Sequence, residues 1–74
     1  MRQHNVTVWR DGDGDWRWTR RASNGKRVAV SGEGYRRRAH AIRMAFEVNE
    51  LIERVRCESA DGTVAMVSRP DGST

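Results

Sequence analysis

The chain contains 74 residues with a formal net charge of +4, and this length leaves room for a single domain. The one cysteine, Cys57, excludes an internal disulfide, and the two histidines match no structural zinc motif. The N-terminal residues lack the apolar stretch of a signal peptide, and no apolar run is long enough to span a membrane. We therefore expect a complete, soluble cytoplasmic protein.

The size of the chain also bears on its stability. A domain of this length buries only roughly 60% of the surface that its unfolded chain exposes, so its core is marginal without further support. Small domains gain that support from disulfides, a metal or association with other chains. With the first two excluded, the composition predicts association with a second copy.

A meander of three strands is predicted in the first half of the chain. Strand-like runs that are β-branched or alternate in polarity cover residues 5–10, 15–22 and 26–31. Two Asp-Gly pairs in residues 11–14 and the pair Asn24-Gly25 separate these runs, and such pairs are typical of hairpin turns.

The alternation within each strand predicts two faces of the sheet. The inner face, which receives the helix, is predicted to contain Val6, Val8, Trp16, Trp18, Val28 and Val30. The outer face is predicted to contain Thr7, Trp9, Arg17, Thr19, Arg21 and Arg27.

The second half of the chain predicts one helix and one strand. Residues 36–56 contain no Gly or Pro and place apolar side chains at helical spacing. A turn at Asp61-Gly62 precedes a fourth strand over residues 63–68, which is more apolar than exposed edge strands usually are. The fold class is therefore α+β, a βββαβ unit with an antiparallel sheet and one helix on one face. One domain covers residues 1–69, and residues 70–74 form a flexible tail.

Several of these segments resemble the YegP-like family of small domains of unknown function. The similarity is in the aromatic-Arg-aromatic strand at Trp16-Arg17-Trp18, the Asn24-Gly25 turn, and the Gly-Glu-Gly-Tyr entry to the helix at residues 32–35. The resemblance covers roughly residues 5 to 50. Arg20, the arginines at the start of the helix and the length of the helix depart from the family pattern.

The resemblance implies how the unit assembles. Units of this family join into one continuous sheet and exchange their final strands, either as tandem repeats or as two subunits. This chain holds one unit, so the resemblance implies a homodimer with a swapped C-terminal strand. The dimer interface is then expected at Val64, Met66 and Val67. The family brings no accepted enzymatic activity.

Basic residues are concentrated in the middle of the chain. Residues 16–38 contain eight basic side chains and one acidic one, Glu33. Three arginines in the first helical turn oppose the helix dipole and suggest anion binding. The candidate anion or nucleic-acid surface consists of Trp9, Arg17, Arg21, Arg27, Arg36, Arg37 and Arg38. The alternative interpretation is a charged surface that only maintains solubility.

No residues in the sequence suggest an active site. Cys57 has no histidine predicted near it, and a nucleophile needs a neighbouring base. We therefore predict no catalytic residues, no cofactor and no metal. The first hypothesis is a non-catalytic homodimeric interaction or accessory module, bacterial or from a phage, that acts through a protein partner. The alternative is a nucleic-acid-binding module that uses the basic sheet face and the Arg cluster at the helix start.

Overall fold

A five-stranded sheet with one helix against it makes up the fold of the computed structural model, which describes residues 4–70. The elements are β1 (Asn5–Arg10), β2 (Trp16–Arg21), β3 (Arg27–Val30), α1 (Arg38–Val48), β4 (Arg54–Glu58) and β5 (Val64–Ser68). The strand order across the sheet is β3-β2-β1-β4-β5. The predicted α+β class is confirmed.

The first hairpin is closed by an aspartate that binds the backbone of its own turn. The Asp11 carboxylate accepts hydrogen bonds from the backbone N–H groups of Asp13 and Asp15, at 2.9 and 3.0 Å. Gly14 follows with φ 87°, a conformation that favours glycine. β1 and β2 pair antiparallel from this turn, as predicted.

The second half of the chain differs from the prediction. Residues 54–58 are a strand and not the end of a helix, so the element order is βββαββ rather than βββαβ. This strand, β4, runs parallel to β1, with Thr7 beside Arg56 and Val8 beside Cys57. The sheet is therefore mixed, and the prediction of an antiparallel sheet was wrong.

A buried asparagine marks the end of the helix. Asn49 is 2% exposed, and both its backbone N–H and its side-chain amide donate to the carbonyl of Ala45, at 3.1 and 2.7 Å. Its side-chain oxygen accepts a hydrogen bond from Arg20 on β2 at 3.2 Å. Asn49 has a non-helical backbone conformation, with φ -109° and ψ 73°, and the chain turns back to the sheet here, several residues before the predicted end at residue 56.

The core lies between α1 and the sheet. Its buried apolar members are Val6, Val8, Trp18, Ala41, Ala45, Phe46, Ile52, Val55 and Cys57. The predicted inner face of β1 and β2 is confirmed, since Trp16 also packs against this core. Ile52 and Val55, which belong to the apolar residues at helical spacing in 36–56, are buried, although Val55 reaches the core from a strand.

The orientation of β3 was predicted wrongly. Val28 and Val30 are 53% and 45% exposed, and Ala29 packs against the core in their place. The register shifts by one residue between Arg21, which pairs with Arg27, and Arg20, which pairs with Ala29. A bulge of one residue reverses which side chains face the core, and this reversal explains the error.

Two predictions concern the ends of the chain and membrane spans. Of the predicted flexible tail at 70–74, residues 71–74 lie outside the described residues. Among residues 4–70, α1 is too short and too polar to cross a membrane.

Candidate functional site

One face of the sheet is turned away from α1, and within residues 4–70 no other element covers it. We call it the open face. Because directly paired residues lie on the same side of a sheet, the strand registers assign side chains to it. Its arginines are Arg17, Arg21, Arg27, Arg54 and Arg56.

Trp9 occupies the open face of β1 and leans over the neighbouring strand. Its Nε1–H donates to Thr19 Oγ1 on β2 at 2.9 Å. Thr19 is only 7% exposed although it faces away from the core, whereas Trp9 is half-buried. The hydrogen bond therefore holds the indole against the sheet while part of the ring system stays accessible.

Arg17 lies beside Trp9, but its charge is already paired. Its Nε–H donates to Asp11 Oδ2 at 2.7 Å. This hydrogen bond, together with those from the backbone of Asp15 and Asp13, lowers the pKa of Asp11 below its ordinary value of 3.8. The same contact raises the pKa of Arg17. Arg17 thus stabilises the turn and supplies little net charge to the open face.

Arg54 and Arg56 are open-face residues that the sequence interpretation missed. Both were assigned to the helix, whereas the structure exposes them on β4. Arg56 lies 3.4 Å from Glu58, in an exposed ion pair that contributes little to stability. The alternation of charged residues with Val55 and Cys57 has a period of two, and this signal could have identified the strand.

A row of residues crosses the lower end of the open face, where β1 begins. Arg27 pairs with Arg21, and Arg21 pairs with Asn5. Thr7 lies beside Arg56, and continuing this β1–β4 register by two residues places Asn5 level with Arg54. Arg21, Arg27 and Arg54 are exposed, and none of them forms a salt bridge within residues 4–70. We call these three residues the arginine row.

The Arg cluster at the helix start lies on the other side of the sheet. Arg37 is the N-cap of α1, and its side chain makes no capping hydrogen bond. Arg38 donates from Nε to Sγ of Cys57 at 3.0 Å, and Cys57 belongs to the buried core. Arg36 and Arg37 are exposed beside it. The structure therefore separates the predicted seven-residue surface into Trp9, Arg17, Arg21 and Arg27 on the open face and the cluster at the helix.

The predicted dimer residues lie on β5, an outer strand of the sheet. Val64 and Met66 are 43% and 58% exposed and face the open side, beside Glu58 and Arg56. Val67 faces the helix side and packs against the core. In the single chain β5 pairs with its own β4, through a turn at residues 59–63.

The remaining titratable candidates contact structural neighbours. The His40 ring lies against Tyr35, with ring centroids 4.7 Å apart. His4 accepts a hydrogen bond from Arg20 at 2.8 Å. Between residues 4 and 70, no three His, Cys, Asp or Glu side chains are grouped closely enough to hold a metal ion.

Comparisons with protein-family models, with curated proteins and with solved structures find no significant match to this chain.

Proposed function

We propose that this protein is a non-catalytic homodimeric interaction module whose two copies associate through β5. The exposed apolar edge of the sheet supports the proposal most directly. β5 contains no charged residue and no proline, and Val64, Ala65 and Met66 are all exposed. Native proteins usually protect an edge strand with charge, proline or a covering element, because an exposed edge pairs with other chains.

Association would also compensate for the small core. Only nine apolar side chains are buried among residues 4–70. Pairs of side chains on directly neighbouring strands contribute roughly 0.2–1 kcal/mol each, so placing Val64 and Met66 beside side chains of the second copy adds to the main-chain hydrogen bonds of the joined edge. Two antiparallel β5 strands would join the two sheets into one sheet of ten strands.

We propose edge pairing of intact hairpins rather than exchange of β5 between the copies. The turn from β4 to β5 is closed by hydrogen bonds from Ser59 N–H to the Thr63 carbonyl at 2.8 Å and from Gly62 N–H to the Ser59 carbonyl at 3.0 Å. Asp61 additionally accepts from the Thr63 N–H at 2.9 Å. A swapped dimer would have to open this turn, whereas edge pairing leaves it intact. We also propose that the chain is a member of the YegP-like family, whose units join into continuous sheets. The motifs in residues 15–35 support this membership.

The state of the cysteine supports the proposed cytoplasmic location. Cys57 is buried and unpaired, which fits a reducing compartment, so the proposal places the protein in the cytoplasm.

The decisive experiment is the solution mass by light scattering over a dilution series. We expect the wild-type mass to be near twice 8.5 kDa, and Val64→Asp to halve it. The matched control is Val28→Asp, which changes an exposed valine on the opposite edge of the sheet, in β3. A wild-type monomer at every concentration, or equal disruption by Val28→Asp, would contradict the proposal.

Subunit exchange separates the two ways of pairing. Copies labelled with two dyes should exchange partners much faster than the protein unfolds if intact hairpins pair at their edges. Exchange that is as slow as unfolding would instead indicate swapped β5 strands.

A further inference from the structure

We propose that the open face binds single-stranded nucleic acid. The arginine row (Arg21, Arg27 and Arg54) binds the phosphates, and a base stacks on Trp9. This inference names the partner of the proposed interaction module. It needs the open face to stay uncovered, but it does not need the β5 pairing.

The charge of the open face favours a polyanion. Of its five arginines, Arg17 is neutralised by Asp11 and Arg56 is partly compensated by Glu58. The three residues of the arginine row are exposed and form no salt bridge within the described part of the chain. Their positive charge is thus available to an external anion, and guanidinium groups bind phosphate well because their donors match its geometry.

The spacing of the row suits an extended chain of phosphates. Arg27, Arg21 and Arg54 lie on β3, β2 and β4, with one strand between the last two. Since neighbouring strands lie about 4.8 Å apart, the row spans roughly 14 Å across the sheet. A phosphate backbone that crosses the strands can therefore contact the three arginines in succession.

Trp9 distinguishes this surface from a merely basic one. Asn5 lies between Arg21 and Arg54 of the arginine row, and Trp9 lies four residues further along β1. Trp9 is therefore roughly 13 Å from the arginine row. Its hydrogen bond to Thr19 fixes the indole against the sheet, so little conformational entropy is lost when a base stacks on it. Aromatic side chains on open sheets bind unstacked bases in this way, and sequence-tolerant binding follows because every base has a π-face.

The geometry favours single strands over a duplex. α1 packs on the opposite face of the sheet, and within residues 4–70 it is the only helix that a major groove could receive. The bases of a duplex are stacked on one another and cannot reach Trp9. An acidic protein offers carboxylates to the arginines, but it does not carry a planar group at regular intervals beside its charges as a nucleic acid does.

The experiment is fluorescence anisotropy with labelled 12-nucleotide DNA and RNA strands of mixed sequence at several salt concentrations. For Arg21→Gln with Arg54→Gln we expect binding to weaken about tenfold at moderate salt. The slope of log affinity against log salt should fall by roughly 1.4, since each phosphate contact to a single strand contributes about 0.7. The matched control is Arg36→Gln with Arg37→Gln, which removes the same charge from the helix side.

The aromatic contact is tested separately. Trp9→Leu should weaken binding roughly 5- to 150-fold without changing the salt slope, because stacking on an aromatic side chain contributes about 1–3 kcal/mol per base. Circular dichroism of each variant establishes that it is folded.

Four results would overturn the inference. The first two are that neither the DNA nor the RNA strand binds at low salt, and that the two arginine double variants lose the same affinity. The other two are that Trp9→Leu keeps full affinity, and that a duplex or polyglutamate binds as tightly as the single strands or more tightly. The mass measured in the same buffer keeps the two proposals apart. A dimer that binds no strand refutes only this inference, and a monomer that binds one refutes only the β5 pairing.

Discussion

Arg69 closes the carboxyl end of α1 while its guanidinium lies over the ring of Phe46, with Cζ 5.0 Å from the ring centroid. The side chain donates to the carbonyls of Phe46 at 3.2 Å, Asn49 at 2.9 Å, Glu50 at 2.7 Å and Ile52 at 2.8 Å. The last carbonyls of a helix have no partner within the helix. A residue directly after β5 therefore caps a helix that ended twenty residues earlier, counted from Asn49.

We expect Arg69→Ala to destabilise the protein by about 2 kcal/mol. It would leave the partly buried carbonyls of Phe46 and Ile52 without the arginine donor, whereas the Asn49 carbonyl keeps the N–H of Ile52. It would also remove a cation from the negative end of the helix dipole. Arg69→Lys should recover only part of this loss, because an ammonium group cannot reproduce the planar fork of donors. Urea unfolding measures the change.

The control for this variant is Arg43→Ala. Arg43 forms only an exposed ion pair with Glu47, at 3.9 Å, and its removal should change stability by less than about 0.5 kcal/mol. If both alanine variants unfolded at the same urea concentration, Arg69 would not be acting as a cap.

The contact between Asp11 and Arg17 should make the stability of the folded protein depend on pH in the acid range. Because the pKa of Asp11 is lowered in the folded protein, its contribution is fully present above its ordinary value of 3.8 and is lost as the pH falls below that value. Asp11→Asn should therefore flatten the decrease in stability below about pH 4. The asparagine oxygen can still accept the two backbone hydrogen bonds of the turn.

Thermal unfolding at a series of pH values measures this effect. Asp13→Asn is the control, since the Asp13 carboxylate forms no salt bridge in the described structure. If the stability of Asp11→Asn decreased as steeply with falling pH as that of the wild type, the ion pair would not contribute to stability.

Gly34 is expected to tolerate no side chain. A Cβ at this position would lie 2.6 Å from Cβ of Asp15, in the stretch where Tyr35 forms a bridge with Trp16. Gly34→Ala should therefore shift the backbone and destabilise the protein by about 1–3 kcal/mol. Gly32→Ala is the matched control, because a Cβ there would meet no atom within 4 Å.

Urea unfolding of the two alanine variants compares them directly. Equal stability of Gly34→Ala and Gly32→Ala would mean that the loop before α1 can move away from Asp15 without loss.

The first two strands and their turns could be predicted from the sequence because their information is local. Trp16 and Trp18 alternate with polar residues, so their face follows from the period of a strand. The turns follow from Asp-Gly and Asn-Gly pairs, and Gly14 and Gly25 do adopt φ of 87° and 85°. Trp9, Arg17 and Arg21 were assigned correctly to the outer face for the same reason.

The remaining part of the candidate site could not be predicted from local patterns. The bulge beside Arg21 exists only in the pairing of two strands, and it turned Val28 and Val30 away from the core. Arg54 and Arg56 joined the open face only because residues 54–58 form a strand.

The sequence by itself determined the α+β class, the meander and the basic character of the chain, since composition and short-range periodicity are sufficient for these. Only the tertiary structure decided where the helix ends, which side chains of β3 face the core, and that Arg54 and Arg56 lie on the open face. Ile52 and Val55 continue the helical spacing, whereas Val55 and Cys57 alternate with Arg54 and Arg56 at the period of a strand, so the local pattern permits either structure. The choice came from distant groups: Arg20 binds Asn49, and Arg69 binds the carbonyls that a longer helix would have satisfied internally.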